Sequence, residues 1–559
     1  MAVGVWAAIR GSAKLLVAAC LTRPRLPAET RARAAWGRAF SRRGFLARAG
    51  SLTAVTATAI AGGTGLIGDR GPPATDAQGR APLTTVPAPA PLPPGPVSTA
   101  GAATRAPAVV PRLRQPNVLL VTIDTTRADH LGAYGFAGAH TPTLDRLSRE
   151  GARFGHAICQ LPQTNASHAS LMTGLYPSTN GVKVHMIDKL RPGSQTLASV
   201  FAASGYQTAG IYSWVSLDPQ FCGLDQGFQT YEGYVLDRPL MFSHPQLEDL
   251  AHGLAATYGQ AQQSLPVLRT ADVALNKESD QLQESIDGRA DVTNAAVFKW
   301  LDAHAGRDPF FLWVHYFDPH YPYAPPPGYD HILGLDYRGR IDGSVNTIHR
   351  IQDGTLKVGG ADLARLIELY QGELAFTDAQ LGRLLAYLTQ HGLADDTVIV
   401  VTGDHGESFG EHGDWTHGQQ VYESEIRVPL LVRYPRRLSA GTAINAPVQL
   451  IDVMPTLLEL TGLRAARPVQ GTSLFPLLTG KADGTDQIAF TELADESFVS
   501  MLTTQEWKLI RNDANDELQL YHLSDDEAEK VDLSHAAPSV ARELHARLDD
   551  LMKISGVSR

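Results

Sequence analysis

Two uninterrupted apolar runs, Asn117-Val118-Leu119-Leu120-Val121-Thr122-Ile123 and Thr397-Val398-Ile399-Val400-Val401-Thr402-Gly403, each lead directly into an aspartate, Asp124 and Asp404. Runs of this length without polar alternation predict strands buried on both faces, as in a parallel sheet covered by helices. Open sheets of that kind present their chemistry at the carboxyl ends of the strands. Asp124, Asp404 and the adjoining His405 are therefore candidate metal ligands. A stretch with helical character, Asn165 to Thr173, is opened by Thr164 and closed by Gly174. Two carboxylates, an imidazole and a hydroxyl at a helix start are the parts of a metal-activated attack on a tetrahedral oxyanion.

The same patterning divides the chain. From 115 to about 480, apolar strands alternate with amphipathic helices such as Leu363 to Leu388, which predicts a large α/β domain with a mostly parallel sheet and helices on both faces. Over 481–559 the pattern changes to short antiparallel strands (Phe498 to Thr503, Trp507 to Arg511, Leu518 to Leu523) and a closing helix, Ser539 to Met552. This predicts a small C-terminal α+β subdomain. Val235 to Arg289 has weak periodicity and is expected to be an insertion over the substrate.

The N-terminal 114 residues look different. Ser41-Arg42-Arg43-Gly44-Phe45-Leu46, followed by the small-residue apolar run Ser51 to Ile67, resembles a twin-arginine signal over residues 1–70. Residues 71–114 are rich in Pro and Ala, including Pro87-Ala88-Pro89-Ala90-Pro91-Leu92-Pro93-Pro94, and read as an extended spacer suited to a membrane or wall tether. The expected partner is the twin-arginine export machinery, and the expected location is periplasmic or cell-envelope associated. With 559 residues, 43% of them hydrophobic, the chain has enough apolar material for a full core. A net charge of −10, with the basic residues gathered near the N-terminus, excludes nucleic acid as a partner of the folded part.

The site segments, together with Thr141-Pro142-Thr143-Leu144-Asp145, Thr173-Gly174-Leu175-Tyr176-Pro177, His315-Tyr316-Phe317-Asp318-Pro319-His320 and Asp452-Val453-Met454-Pro455-Thr456, resemble the sulfatase family of the alkaline phosphatase superfamily. The resemblance runs from about Asn117 to the C-terminus. It implies an alkaline-phosphatase-like sheet flanked by helices, hydrolysis of a small-molecule or glycan ester, and a divalent metal.

The resemblance breaks at the nucleophile. The family begins a Cys/Ser-x-Pro-Ser-Arg motif with a residue oxidised to formylglycine, whereas here the aligned residues are Thr164-Asn165-Ala166-Ser167-His168. Oxidised threonine yields only a ketone, and the Pro and Arg of the motif are missing. Threonine can still attack phosphorus, as in the phosphodiesterase, phosphonate-hydrolase and phosphoglycerol- or phosphoethanolamine-transferase branches of the superfamily. A sulfated threonine has no aldehyde escape route, so phosphate and phosphonate esters are favoured over sulfate esters.

Family members also carry a Lys-x-His pair where this chain has Ser213-Trp214-Val215. His168 stands for the motif Arg, His320 matches a substrate-binding His, and His417 stands where a substrate-binding Lys commonly lies. The catalytic set read from the resemblance is thus Thr164, His168, His320 and His417, and the metal set is Asp124, Thr164, Asp404 and His405. A nitrogen ligand in the set favours manganese or zinc over calcium, with magnesium also compatible. One ion is expected rather than two, since Asp318, His320, His412 and His417 lack the spacing of a second site. His130, His185, His315 and His412 are read as structural. So is Cys159, either paired with Cys222 or buried as a thiol. The expected function is an exported metal-dependent ester hydrolase. Its alternatives are a transferase moving a phospho-substituent onto an envelope glycan or lipid, and a non-catalytic binding protein on the same fold.

Overall fold

A computed structural model describes residues 115–234, 289–493, 499–512, 515 and 517–555. The twin-arginine segment, the Pro/Ala-rich spacer and the weakly periodic insertion at 235–288 lie outside the described residues.

Eight strands form the central sheet: β1 Asn117–Ile123, β2 Ala152–Ile158, β3 Gln207–Tyr212, β4 Thr230–Gly233, β5 Phe310–Tyr316, β6 Thr397–Gly403, β9 Arg427–Arg433 and β10 Thr442–Gln449. Between β6 and β9 lies a two-stranded hairpin, β7 Ser408–Phe409 and β8 Trp415–Thr416. The sheet order is β10-β2-β9-β6-β1-β5-β3-β4. Only β9 runs against its neighbours; the other pairings are parallel. The carboxyl ends of β1, β2, β3, β5 and β6 therefore share one edge of the sheet.

β1 shows why its run is apolar throughout. Val118 and Leu120 face one core with Met172, Trp313 and Leu457, while Leu119, Val121 and Ile123 face the other with Leu312, Leu381 and Leu384. Successive side chains of a strand point to opposite faces, so a strand covered on both sides has room for a polar side chain only where, as at Thr122, it is hydrogen-bonded. The helix Gly360–Gln390 covers the second face and extends the expected Leu363 to Leu388 at both ends. Its buried Asp378 accepts hydrogen bonds from the Thr143 and Leu144 N–H groups, at 2.9 and 2.8 Å, and so caps the helix Pro142–Glu150 from outside.

The C-terminal part is an antiparallel sheet, β11 Ala489–Leu493, β12 Val499–Thr503, β13 Trp507–Asn512 and β14 Glu517–His522, closed by the helix Pro538–Ser555. Strand β11 is the element the patterning missed. Its side chains are buried, but Ala489-Phe490-Thr491-Glu492-Leu493 is short and carries a glutamate, Glu492, whose carboxylate accepts from Ser178 N–H at 2.7 Å. This sheet shares a core with Tyr176 and Ile451 of the large domain. The buried Lys508 ammonium also ties it there through Glu423 at 3.0 Å, and Glu529, 2.7 Å from the same ammonium, accepts from the Glu423 N–H at 2.7 Å. Cys159 and Cys222 are buried free thiols. The Cys222 thiol donates to Leu217 O at 3.0 Å, which decides between the two readings of the pair.

Candidate active site

Asp124 follows β1, Asp404 and His405 follow β6, and Thr164 begins the helix Thr164–Thr173 that follows β2, so all four meet at one edge of the sheet. Their side chains are buried. The Asp404 carboxylate is oriented by its own surroundings. Its Oδ1 accepts backbone N–H groups from Thr125 at 3.1 Å and His405 at 2.8 Å, whereas Oδ2 has no hydrogen-bond partner among the described residues. Thr125 reaches that position at φ 46°, a left-handed conformation uncommon outside glycine and a mark of a constrained site. Ser167 Oγ donates to Asp404 O at 2.6 Å and fastens the helix to the strand end.

His405 Nδ1–H donates to Gly406 O at 3.0 Å, leaving the Nε2 lone pair for another partner. Nε2 stands 3.4 Å from Thr164 Oγ1, 3.5 Å from Asp404 Oδ2 and 3.7 Å from Asp124 Oδ1. Donors held by one cation at roughly 2.0–2.2 Å are set about 3.0–3.5 Å apart, so these separations are within a few tenths of an ångström of a shared ion. Both Asp124 carboxylate oxygens lack hydrogen-bond partners among the described residues. Burial pushes the Asp124 carboxyl up to about 7 against the pull of His405. Burial and the neighbouring Asp124 raise Asp404 as well. Two buried carboxylates that repel each other and accept too few hydrogen bonds fit a divalent cation, which supplies the missing charge.

The three histidines assigned to catalysis occupy two different places. His168 is fully buried beneath the carboxylates, and its Nδ1–H donates to Thr164 O at 2.7 Å. Its Nε2 accepts from Thr122 Oγ1 at 2.9 Å, and Thr122 in turn accepts from Trp313 Nε1–H at 3.0 Å. Both ring nitrogens are thereby engaged, so His168 supports the start of the helix Thr164–Thr173. His320 and His417 lie together on the other side, with ring centroids 4.9 Å apart and His417 4.4 Å from His405. His320 Nδ1–H donates to Tyr321 O at 2.5 Å. His417 Nδ1 pairs with Glu407 Oε1 at 3.0 Å. Burial pulls His320 down to about 3 and His417 well below the usual imidazole range. Both are neutral near pH 7 until an anion joins them.

A family model for the sulfatase domain matches residues 116–463, and one for the N-sulphoglucosamine sulphohydrolase C-terminal region matches 410–554. The chain belongs to the sulfatase family. An arylsulfatase of Clostridium perfringens is 27% identical over 469 residues, spanning 79% of this chain and 93% of that protein. A solved enzyme in complex with D-glucosamine-2-N,6-O-disulfate superposes with a TM-score of 0.62 at 21% identity, over 79% of this chain and 98% of that one. The phosphonate monoester hydrolase of Agrobacterium radiobacter gives 0.59 at 22% identity, over 79% and 96%. The fold is thus shared by ester hydrolases of sulfur and of phosphorus.

In this sulfatase-family chain, Ser213 Oγ donates to His315 O at 2.8 Å and accepts from the Phe317 N–H at 2.9 Å, clamping the end of β3 to β5. Trp214 stacks on Phe317 at 4.5 Å and leans on His320 at 5.5 Å, an aromatic wall at the place where the family resemblance puts a Lys-x-His pair and this chain does not. His130 and His412 sit in aromatic packing, against Phe136 and Tyr422 respectively. His185 and His315, both read as structural from the sequence, border the site instead. The His185 Nδ1–H donates to Asn165 Oδ1 at 3.1 Å, beside Thr164. The signal for His315 in the sequence is a single imidazole inside an otherwise apolar, wholly buried strand, Phe310–Tyr316.

Gly406 separates His405 from Glu407, and its N–H donates to Glu425 O at 2.7 Å. A Cβ there would lie 2.0 Å from the Ser424 carbonyl oxygen, a backbone atom that cannot rotate away. Gly406→Ala should therefore cost about 1–3 kcal/mol or more by overpacking and shift His405. Thermal denaturation should show a lowered midpoint together with weaker metal retention; an unchanged midpoint would contradict the close approach.

Proposed function

We propose that this protein is an exported, metal-dependent ester hydrolase that uses Thr164 Oγ1 as its nucleophile and acts on phosphate or phosphonate esters in preference to sulfate esters. The observation that carries it is the threonine hydroxyl at the start of a buried helix, 3.4 Å from the His405 nitrogen that faces the carboxylate pair. Asp124, Asp404, His405 and Thr164 would hold a divalent ion, which would supply Lewis acidity to the Thr164 hydroxyl and to the oxyanion.

The residues then divide the work. Thr164 Oγ1 gives its proton to solvent and bonds to phosphorus as the bond from phosphorus to the ester oxygen breaks, and the leaving oxygen takes a proton from the His320–His417 pair, which is protonated once the anionic substrate joins it. Water next attacks phosphorus, the Thr164 Oγ1–P bond breaks, the same imidazoles take the proton from the water, and the Thr164 oxygen regains a proton from solvent. The amino end of the helix Thr164–Thr173, which no side chain caps, favours the developing negative charge at Thr164. His168 holds the first turn of that helix by its bond to Thr164 O.

A substrate panel tests the choice of chemistry. Aryl phosphate, bis-aryl phosphate, aryl phosphonate and aryl sulfate esters, offered with manganese or zinc, should give the highest kcat/KM on a phosphorus ester. Faster turnover of the sulfate ester than of every phosphorus ester would reject the proposal. Transfer to an envelope glycan or lipid acceptor, rather than to water, would appear as product formed only when the acceptor is present.

The export reading rests on the order of signals along the chain: an Arg pair, a small-residue apolar run and a Pro/Ala-rich spacer. A reporter carrying residues 1–114 should reach the periplasm through the twin-arginine route, and Arg42→Lys with Arg43→Lys should leave it in the cytoplasm. Export that survives both changes would remove the claim.

A further inference from the structure

We propose that His315 is a further protein ligand of the cation, binding through Nε2 beside Asp124, Asp404, His405 and Thr164. The inference rests on the cation reading above and adds a residue to it.

His315 lies on β5 directly across from Thr122 of β1, which brings it next to the strand end that delivers Asp124. Its Nε2 is 3.4 Å from Asp124 Oδ2, while Asp124 Oδ1 is 3.7 Å from His405 Nε2. The two imidazoles therefore flank one carboxylate, each beside a different oxygen. A separation of 3.4 Å is long for an N–H···O hydrogen bond, which clusters near 2.9–3.0 Å. It matches the roughly 3.4 Å between two donors at about 2.1 Å from one ion in near-tetrahedral arrangement.

The bonding of the ring supports the same conclusion. Both nitrogens of His315 are buried and neither has a hydrogen-bond partner among the described residues. A polar group buried without a partner is costly and rare. The neighbouring imidazoles are accounted for, since His168 engages Thr164 O and Thr122 Oγ1, and His405 engages Gly406 O. Donor atoms of His315, His168 and Asp404 lie within 4.8 Å of one another, as do those of Asp124, Asp404 and His405. Asp404 is common to both groups. Because the His168 nitrogens are already engaged, His315 is the one of the pair with a lone pair to give. Two imidazoles, two carboxylates and a hydroxyl make a donor set that suits zinc or manganese better than calcium.

Cobalt(II) loaded into the full chain provides the test. A cobalt-bound imidazole keeps an exchangeable ring N–H whose proton resonance is strongly shifted by the paramagnetic ion, so the wild-type protein should show two such resonances. His315→Gln should remove one of them and weaken cobalt binding at least about tenfold in competition with a chelator. Glutamine keeps an N–H able to reach Asp124, so a residue that only hydrogen-bonds the carboxylate would leave affinity and resonances unchanged. A single shifted resonance in the wild type, which needs no variant, would also overturn the inference. Asp404→Ala separates the two levels: if it binds cobalt like the wild type, the cation reading itself fails, whereas loss of cobalt in Asp404→Ala alone sinks only the role of His315.

Discussion

Thr164→Ala should give a folded, metal-loaded protein whose turnover of phosphorus esters falls about 10³-fold or more, a loss of roughly 4 kcal/mol or more in transition-state stabilisation. Removing one methyl and one hydroxyl from a helix start leaves the helix in place, because its hold on the sheet comes from Ser167 Oγ on Asp404 O and from His168 on Thr122. Thr164→Ser restores the hydroxyl and should keep a measurable part of the rate. Quenching the wild type during turnover should place phosphate on the peptide that contains Thr164. Full activity of Thr164→Ala would mean that another group attacks.

Asp404→Ala should release the metal, with affinity falling at least about 100-fold. Asp404, at the end of β6, is common to both groups of candidate ligands. Elemental analysis of purified protein should find close to one equivalent of manganese or zinc in the wild type and little in the variant. Stoichiometric calcium in place of either would overturn the argument from the nitrogen ligand.

The same site should make the metal's contribution to stability pH-dependent. Burial raises the Asp124 carboxyl from 3.8 to about 7, so without metal the folded protein binds more protons than the unfolded chain between those values. Metal-free stability therefore falls as pH rises across that window. Metal occupies the deprotonated carboxylate, so the rise in Tm on adding it should be larger at pH 8 than at pH 5.5. At a free metal concentration 100 times Kd the stabilisation is about 2.7 kcal/mol. An equal Tm shift at both pH values would show that Asp124 stays ionised without metal.

Much of this was legible along the chain, and the reason is local. A strand covered on both faces is apolar at most positions, so Asn117–Ile123 and Thr397–Gly403 announce themselves, and the aspartate that follows each run marks the edge where ligands gather. A helix start needs only its first turn and its terminal glycine to be recognised: Gly174 caps Thr164–Thr173 at φ 65°. The long helix Gly360–Gln390 and three of the four C-terminal strands follow from periodicity in the same way. β11 escaped because its buried Glu492 is satisfied by Ser178, a residue more than 300 positions away.

What the sequence determined, then, was the set of chemical groups that end buried strands or begin buried helices: Asp124, Asp404, His405 and Thr164. Periodicity records which faces are buried, and that is a property of a few neighbouring residues. The tertiary structure alone decided what each histidine does. His168 and His315 are both buried imidazoles about 5.2 Å apart by ring centroid, yet one has both nitrogens bonded to threonine oxygens and the other has neither bonded. No pattern along the chain distinguishes them, because a side chain's role depends on which atoms of β1, β5 and β6 the sheet register sets against it.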